Sequence, residues 1–237
     1  MTGHIGIVGC SAEGAALCYR TICLEGARYL GDYAHPEVSM HTPPLNAYVA
    51  CLERGDMEGV ARIMLDSAQV LARAGADFLI CPDNTIHQAL PKVLPRSALP
   101  WLHIAEVVAQ EALANHYGKV AIAGTRWLVE SDVYPHAFGK KDLQCFLPPP
   151  QERGEIHRII MDELVNGRVE AGSIDYVKDA VQRWKGEGCT AVALVCTELP
   201  LLFTHTSCPL PVLDSTRLLA RAALRRAVAW GRTSATC

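Results

Sequence analysis

Two short polar segments, Asp83-Asn84-Thr85 and Cys196-Thr197-Glu198, each follow an apolar run, and they lie 113 positions apart. A carboxylate and a thiol are both proton acceptors. Set on opposite sides of one carbon, they let one group remove a proton and the other return one to the opposite face. Inversion of a stereocentre needs that arrangement. The residues at these points are small or polar, and helices are expected to start just after them. Helix N-terminal amides favour anions, so a carboxylate is the natural guest.

The surrounding chain repeats around these segments. Ala74-Gly75-Ala76-Asp77-Phe78-Leu79-Ile80 aligns with Glu187-Gly188-Cys189-Thr190-Ala191-Val192-Ala193, each reading as a helix end closed by Gly and then a buried strand. Ile5–Gly9 matches Val120–Gly124 at an offset of 115, and Leu99–His103 matches Leu210–Asp214 at 111. Three matches at nearly one offset argue for two copies of one unit. The expected strands are Ile5–Gly9, Phe78–Cys81, Leu102–Ile104, Val120–Gly124, Ala191–Cys196 and Val212–Leu213. Between them, Met57–Ala74 carries apolar residues near a 3.6 period, as do Ile104–His116 and Ile174–Trp184, and Ser215–Trp230 reads as a long C-terminal helix. The pattern predicts an α/β fold of two pseudo-symmetric, doubly wound parallel-sheet domains. Their expected extents are 1–110 and 111–214, with 215–237 packing back on the first. Ligands of such sheets bind beyond the carboxyl ends of the strands, so the site is expected in the cleft between the domains.

Composition excludes other classes. A net charge of −3 gives no basic surface for nucleic acid. No apolar run reaches the roughly 18 residues of a membrane helix, and the N-terminus lacks the marks of a signal peptide. The reading is a soluble cytoplasmic protein. Ten cysteines without a close Cys-x-x-Cys pair suggest neither zinc nor a disulfide frame, and no metal set emerges from the nine histidines. The Gly9–Gly14 loop lacks the dinucleotide-binding glycine spacing. Cys10, Cys81 and Cys196 stand out because each ends an expected strand. Cys81 is read as core, and Cys10 and Ser11 as candidates to line the site.

Taken together, these segments resemble the aspartate/glutamate racemase superfamily over nearly the whole chain. Members carry a first-half Cys-Asn-Thr with a His one residue later, and a second-half Cys-Thr-Glu. Here these read Asp83-Asn84-Thr85-Ile86-His87 and Cys196-Thr197-Glu198. Gly124-Thr125 and Pro211–Thr216 also fit. The resemblance implies a racemase that needs no cofactor, with Cys196 as the second-half catalytic thiol. It implies that Asn84, Thr85 and Thr197 hold the substrate carboxylate and amino group; Ser11 and Thr125, at strand ends of their own, are expected to bind substrate beside them. Arg168 falls where aspartate-type members often place a carboxylate-gripping Lys. A small carboxylate or amino-acid substrate and a homodimer are the expected partners.

The departures matter too. Asp83 stands where the family has its first catalytic cysteine, and Ser39–Pro44 lacks the Arg that some aspartate racemases use. An ordinary Asp, with a pKa of about 3.9, is a weak base unless burial raises it. Three roles for Asp83 stay open: base for one enantiomer opposite Cys196, partner of the substrate ammonium, or cap of the helix that follows. His87 reads as an orienter of the loop or a surface histidine, and Glu198 as a residue suited to a helix N-terminus. The expected activity is racemisation or epimerisation at an α-carbon through Cys196 and Asp83. The alternatives are one-sided chemistry through Cys196, as in maleate isomerases or arylmalonate decarboxylases, and a catalytically silent carboxylate-binding protein.

Overall fold

The apolar runs become the inner strands of two four-stranded parallel sheets. The computed structural model describes residues 2–203 and 207–233. One unit runs to Ile104 and is completed by the helix from Thr216 onward; the other is Ala105–Ser215. The division thus falls before the expected boundary at 110. A helix starts at once after the fourth strand, and its body belongs to the second unit.

In the first unit, β1 (Ile5–Val8), β2 (Val38–His41), β3 (Phe78–Ile80) and β4 (Trp101–Leu102) lie in the order β2-β1-β3-β4. The connecting helices are α1 (Ala12–Leu30), α2 (Leu45–Glu53) and α3 (Met57–Arg73). Helix α3 buries Val60, Met64, Ala68 and Leu71, one stripe at helical spacing, against Val8, Leu79 and Tyr48. Asp56 caps its first turn by accepting from Gly59 N at 2.7 Å. The C-terminal helix, Ser215–Thr233, is tied to this unit by a bidentate Arg221–Glu25 pair and by Arg226 over the rings of Phe78 and Trp230.

In the second unit, β5 (Lys119–Ala123), β6 (Gln144–Phe146), β7 (Ala191–Leu194) and β8 (Val212–Asp214) repeat the order as β6-β5-β7-β8. Its core packs Val192, Leu194 and Ala121 against Ile156, Val177, Val181 and Trp184. The repeat extends to register. Ile5 pairs with Phe78 and Val120 with Ala191; Leu79 pairs with Trp101 and Val192 with Val212. Each pair is the other moved by the offsets read in the sequence. Gly75 and Gly188, also equivalent, both sit at positive φ (90° and 86°) where a helix turns into β3 or β7.

Two expectations change. The strand expected at Leu102–Ile104 is Trp101–Leu102, and Ile104 already opens a helix. Strands β2 and β6 lie outside the expected set, because Val-Ser-Met-His and Gln-Cys-Phe carry no apolar run. Both are sheet edges with partly exposed residues. Among the described residues no helix is long and apolar enough to cross a membrane.

Candidate functional site

At the carboxyl end of the first sheet, the chain leaves β1 through Gly9. A Cβ there would collide with the Thr42 side chain and come within 3.3 Å of Ala15, so only glycine fits. Cys10 follows, buried, and then Ser11. The Ser11 hydroxyl, expected to line the site, accepts from Gly14 N at 3.2 Å and caps α1.

The chain leaves β3 through Cys81 and turns at Pro82 into Asp83, which is half-buried. One carboxylate oxygen of Asp83 accepts from Ile86 N at 3.1 Å, so the capping role is present. Asn84 is buried and Thr85, half-buried, begins a 3₁₀ turn that ends at Ala89. Within this turn His87 is 1% exposed, and its Nε2 donates to the Cys81 carbonyl at 3.0 Å. Its ring meets His103 edge-on, with centroids 4.8 Å apart. His87 is therefore not a surface residue. Tyr48 is fully buried close to Cys81, Cys10 and Asp83; burial, then those neighbours, push its phenol above the usual range. Burial likewise pushes the Cys81 thiol up, with Asp83 adding to it, which suits a core thiol and not a base.

Burial, and after it the neighbouring His103, hold the His87 imidazole well below its ordinary pKa. The unfolded chain binds a proton below about pH 6.5 that the folded chain refuses. Stability is therefore lost as pH falls below about 6.5, by up to about 1.4 kcal/mol per pH unit from this group. His157, also depressed by burial, adds in the same direction. Urea unfolding between pH 7.5 and 5 will show the loss, and His87→Gln will flatten it; an equal slope in the variant would refute the assignment.

The second unit repeats this plan with other residues. Gly124 replaces Gly9, under Val195, whose Cγ2 lies 2.6 Å from where a Cβ would sit. Thr125 is buried at the start of a short helix, without a capping bond from its side chain. The chain leaves β7 through Val195, whose N–H donates to Ala123 O at 2.8 Å, and reaches Cys196. Carried past its last rung, the β5–β7 register puts Thr125 level with Cys196. Thr197 and Glu198 are buried, and the Cys196 thiol donates to Glu198 Oε2 at 3.0 Å.

Glu198 thus does more than sit near a helix start. A carboxylate that accepts the thiol proton can also take it up when the sulfur must act as a base. The i, i+2 spacing in a turn was the available signal, because it returns two side chains to one side. Glu198→Gln keeps an acceptor but removes the basic oxygen. Its expected effect is a kcat about 10²-fold lower with KM little changed; a change of KM alone in steady-state kinetics would show a binding role instead.

Arg168 lies in the second unit, between the helices Pro150–Arg158 and Ala171–Gly186 in sequence. It follows Gly167 (φ 72°) in an exposed loop, and its guanidinium donates to the Asp162 carbonyl at 2.5 Å. The loop is anchored by buried Glu163, which accepts from Ser173 at 2.6 Å and Arg158 at 2.9 Å. The structure brings Asp83, Asn84 and Thr85 together at one strand end, and Thr125, Cys196 and Thr197 at another. Ser11 sits at the end of β1 and caps α1, and Arg168 bonds within its own loop.

Two parallel sheets of identical order, each with a polar turn after its third strand in sequence, define an α/β fold built from two like units. The sequence profile of the Asp/Glu/hydantoin racemases matches residues 7–223, and the chain belongs to that family. Among its relatives is the broad specificity amino-acid racemase RacX of Bacillus subtilis (strain 168), 21% identical over 84% of this chain and 85% of that one. A solved candidate Asp/Glu racemase from Yersinia pestis is 25% identical, with a TM-score of 0.88 over 95% of this chain and 99% of its own. An aspartate racemase homologue from Pyrococcus horikoshii OT3 is 28% identical, with a TM-score of 0.81 over 96% and 99%.

Proposed function

We propose that this racemase-family protein inverts the α-carbon of amino acids in the cytoplasm without a cofactor, with Cys196 and Asp83 acting on opposite faces. The observation that carries the reading is the equivalence of the two residues. Each stands three residues beyond the same rung, Ile7–Ile80 in one sheet and Ile122–Ala193 in the other. One group takes the α-proton, leaving its electron pair on the carbon and delocalised into the substrate carboxylate. The other group, protonated, delivers a proton to the opposite face. Donors at Asn84, Thr85 and Thr197 would stabilise the charge that develops on the carboxylate oxygens. The name of the Bacillus subtilis relative supports a substrate class wider than aspartate and glutamate, in keeping with the missing Arg in Ser39–Pro44.

A second reading draws on the Asp83 cap. If the bond to Ile86 N is the whole role of that carboxylate, Cys196 works alone and chemistry is one-sided. Separate incubation with L- and D-amino acids, followed by chiral chromatography, decides between them. Appearance of the opposite enantiomer from both starting forms supports racemisation. Release of carbon dioxide from substituted malonates without any inversion supports the one-sided reading.

A further inference from the structure

Each half-site hangs from a backbone carbonyl gripped by a buried side chain. In the first unit the carbonyl is that of Cys81, two residues before Asp83, and the donor is His87 Nε2 at 3.0 Å. In the second it is that of Leu194, two residues before Cys196, and the donor is Ser215 Oγ at 2.9 Å. Positions 81 and 194 are equivalent by the repeat. The donors are not: the equivalent of His87 is Pro200, and that of Ser215 is Ile104, neither of which carries a side-chain donor. The two units meet one need by different means.

The need is physical. A carbonyl buried at the end of a strand must be paired, and whatever pairs it fixes the direction in which the chain leaves the sheet. In the first unit the turn also carries local bonds. Ile86 N donates to Asp83 Oδ1, and His87 N donates to Asn84 O at 3.2 Å. The imidazole bond ties the turn back to the strand end, beside a weaker contact in which the Cys81 thiol donates to the Asp83 carbonyl at 3.8 Å. His87 is 1% exposed and its Nδ1 has no hydrogen-bond partner. A position serving packing alone is better filled by an apolar side chain than by a ring with an unpaired buried nitrogen. Because a carbonyl can only accept, Nε2 carries the proton, and the ring acts as a fixed donor. Ser215, 1% exposed, opens the C-terminal helix immediately after β8 and reaches across to the neighbouring strand β7.

We propose that His87 and Ser215 are the positioning residues of the two half-sites, His87 setting the aim of Asp83 and Ser215 that of Cys196. Each therefore governs one direction of proton transfer. This rests on the racemase reading above. A small misplacement of a reacting group slows chemistry by roughly 10²-fold, and here it falls on one enantiomer.

The test is α-proton exchange in deuterium oxide, each enantiomer separately, for wild type and for His87→Ala, His87→Gln, Ser215→Ala and Ser215→Thr. Asp83→Asn and Cys196→Ser identify the enantiomer that depends on each group. His87→Ala is expected to slow the Asp83-dependent enantiomer by roughly 10- to 100-fold and leave the other near wild type, with Gln, which keeps a donor, restoring the rate. Ser215→Ala should show the mirror pattern, with rescue by Thr. Amide exchange at Ile86 should quicken in His87→Ala and recover in His87→Gln, a readout that needs no turnover. Equal slowing of both enantiomers, or no rescue in a folded Gln or Thr variant, overturns the proposal. If an alanine variant does not fold, the comparison of Gln or Thr with wild type decides in the same way. A wild type that exchanges neither enantiomer overturns the racemase reading itself; a wild type that exchanges both, beside indifferent variants, overturns only the positioning.

Discussion

Cys196→Ser is expected to lower kcat for inversion by roughly 10²–10⁴-fold, the usual contribution of a proton-transfer group. A hydroxyl is nearly the size of a thiol and still donates to Glu198, so the turn after β7 keeps its hydrogen bond. What is lost is a group that ionises within reach of neutral pH: a thiol has a pKa of about 8.5, and an alcohol remains protonated. Thermal unfolding of the variant should stay close to wild type, which separates lost chemistry from lost fold. Steady-state polarimetry on both enantiomers checks the rate. Retention of activity within a few-fold would remove Cys196 from the mechanism.

Asp83→Asn carries the second large effect, and it separates the base from the cap. The Asn side-chain oxygen can continue to accept from Ile86 N, so the 3₁₀ turn survives, while the basic oxygen is gone. Exchange of one enantiomer should fall by roughly 10²-fold or more, with the other retained through Cys196. Asp83→Ala loses the cap as well, and should cost about 1 kcal/mol of stability beyond Asn. Wild-type inversion by Asp83→Asn would make the carboxylate a cap and nothing else, and would remove it from the proton transfers.

The inner strands were legible because burial on both faces demands continuous apolar runs such as Ile5–Val8 and Ala191–Leu194. Their equivalence could be read from the offsets and reappears in the register. The edges β2 and β6 were not legible. Four and three residues with mixed polarity acquire strand geometry only from the neighbour that they pair with. The same limit applied to side chains. The sequence placed Ser11, Asp83 and Glu198 just after strands, but residue type does not say which partner a polar atom takes. Ser11 took Gly14 N, Asp83 took Ile86 N, and Glu198 took the Cys196 thiol. Tyr48 gave no signal at all, since helix α2 shows only a tyrosine on an apolar stretch. Its place near Cys10, Cys81 and Asp83 arises from the packing of α2 and α3 under the sheet.

The claim that most needs testing is that the α-proton of an amino acid is removed and returned by this protein alone. Proton NMR of the α-hydrogen in deuterium oxide, on both enantiomers of a panel of amino acids with Cys196→Ser as control, tests it directly. Loss of the α-signal from both enantiomers, appearance of the opposite form, and abolition of inversion in the variant are expected. An undiminished α-signal across the panel, or the same exchange with Cys196→Ser, would contradict it.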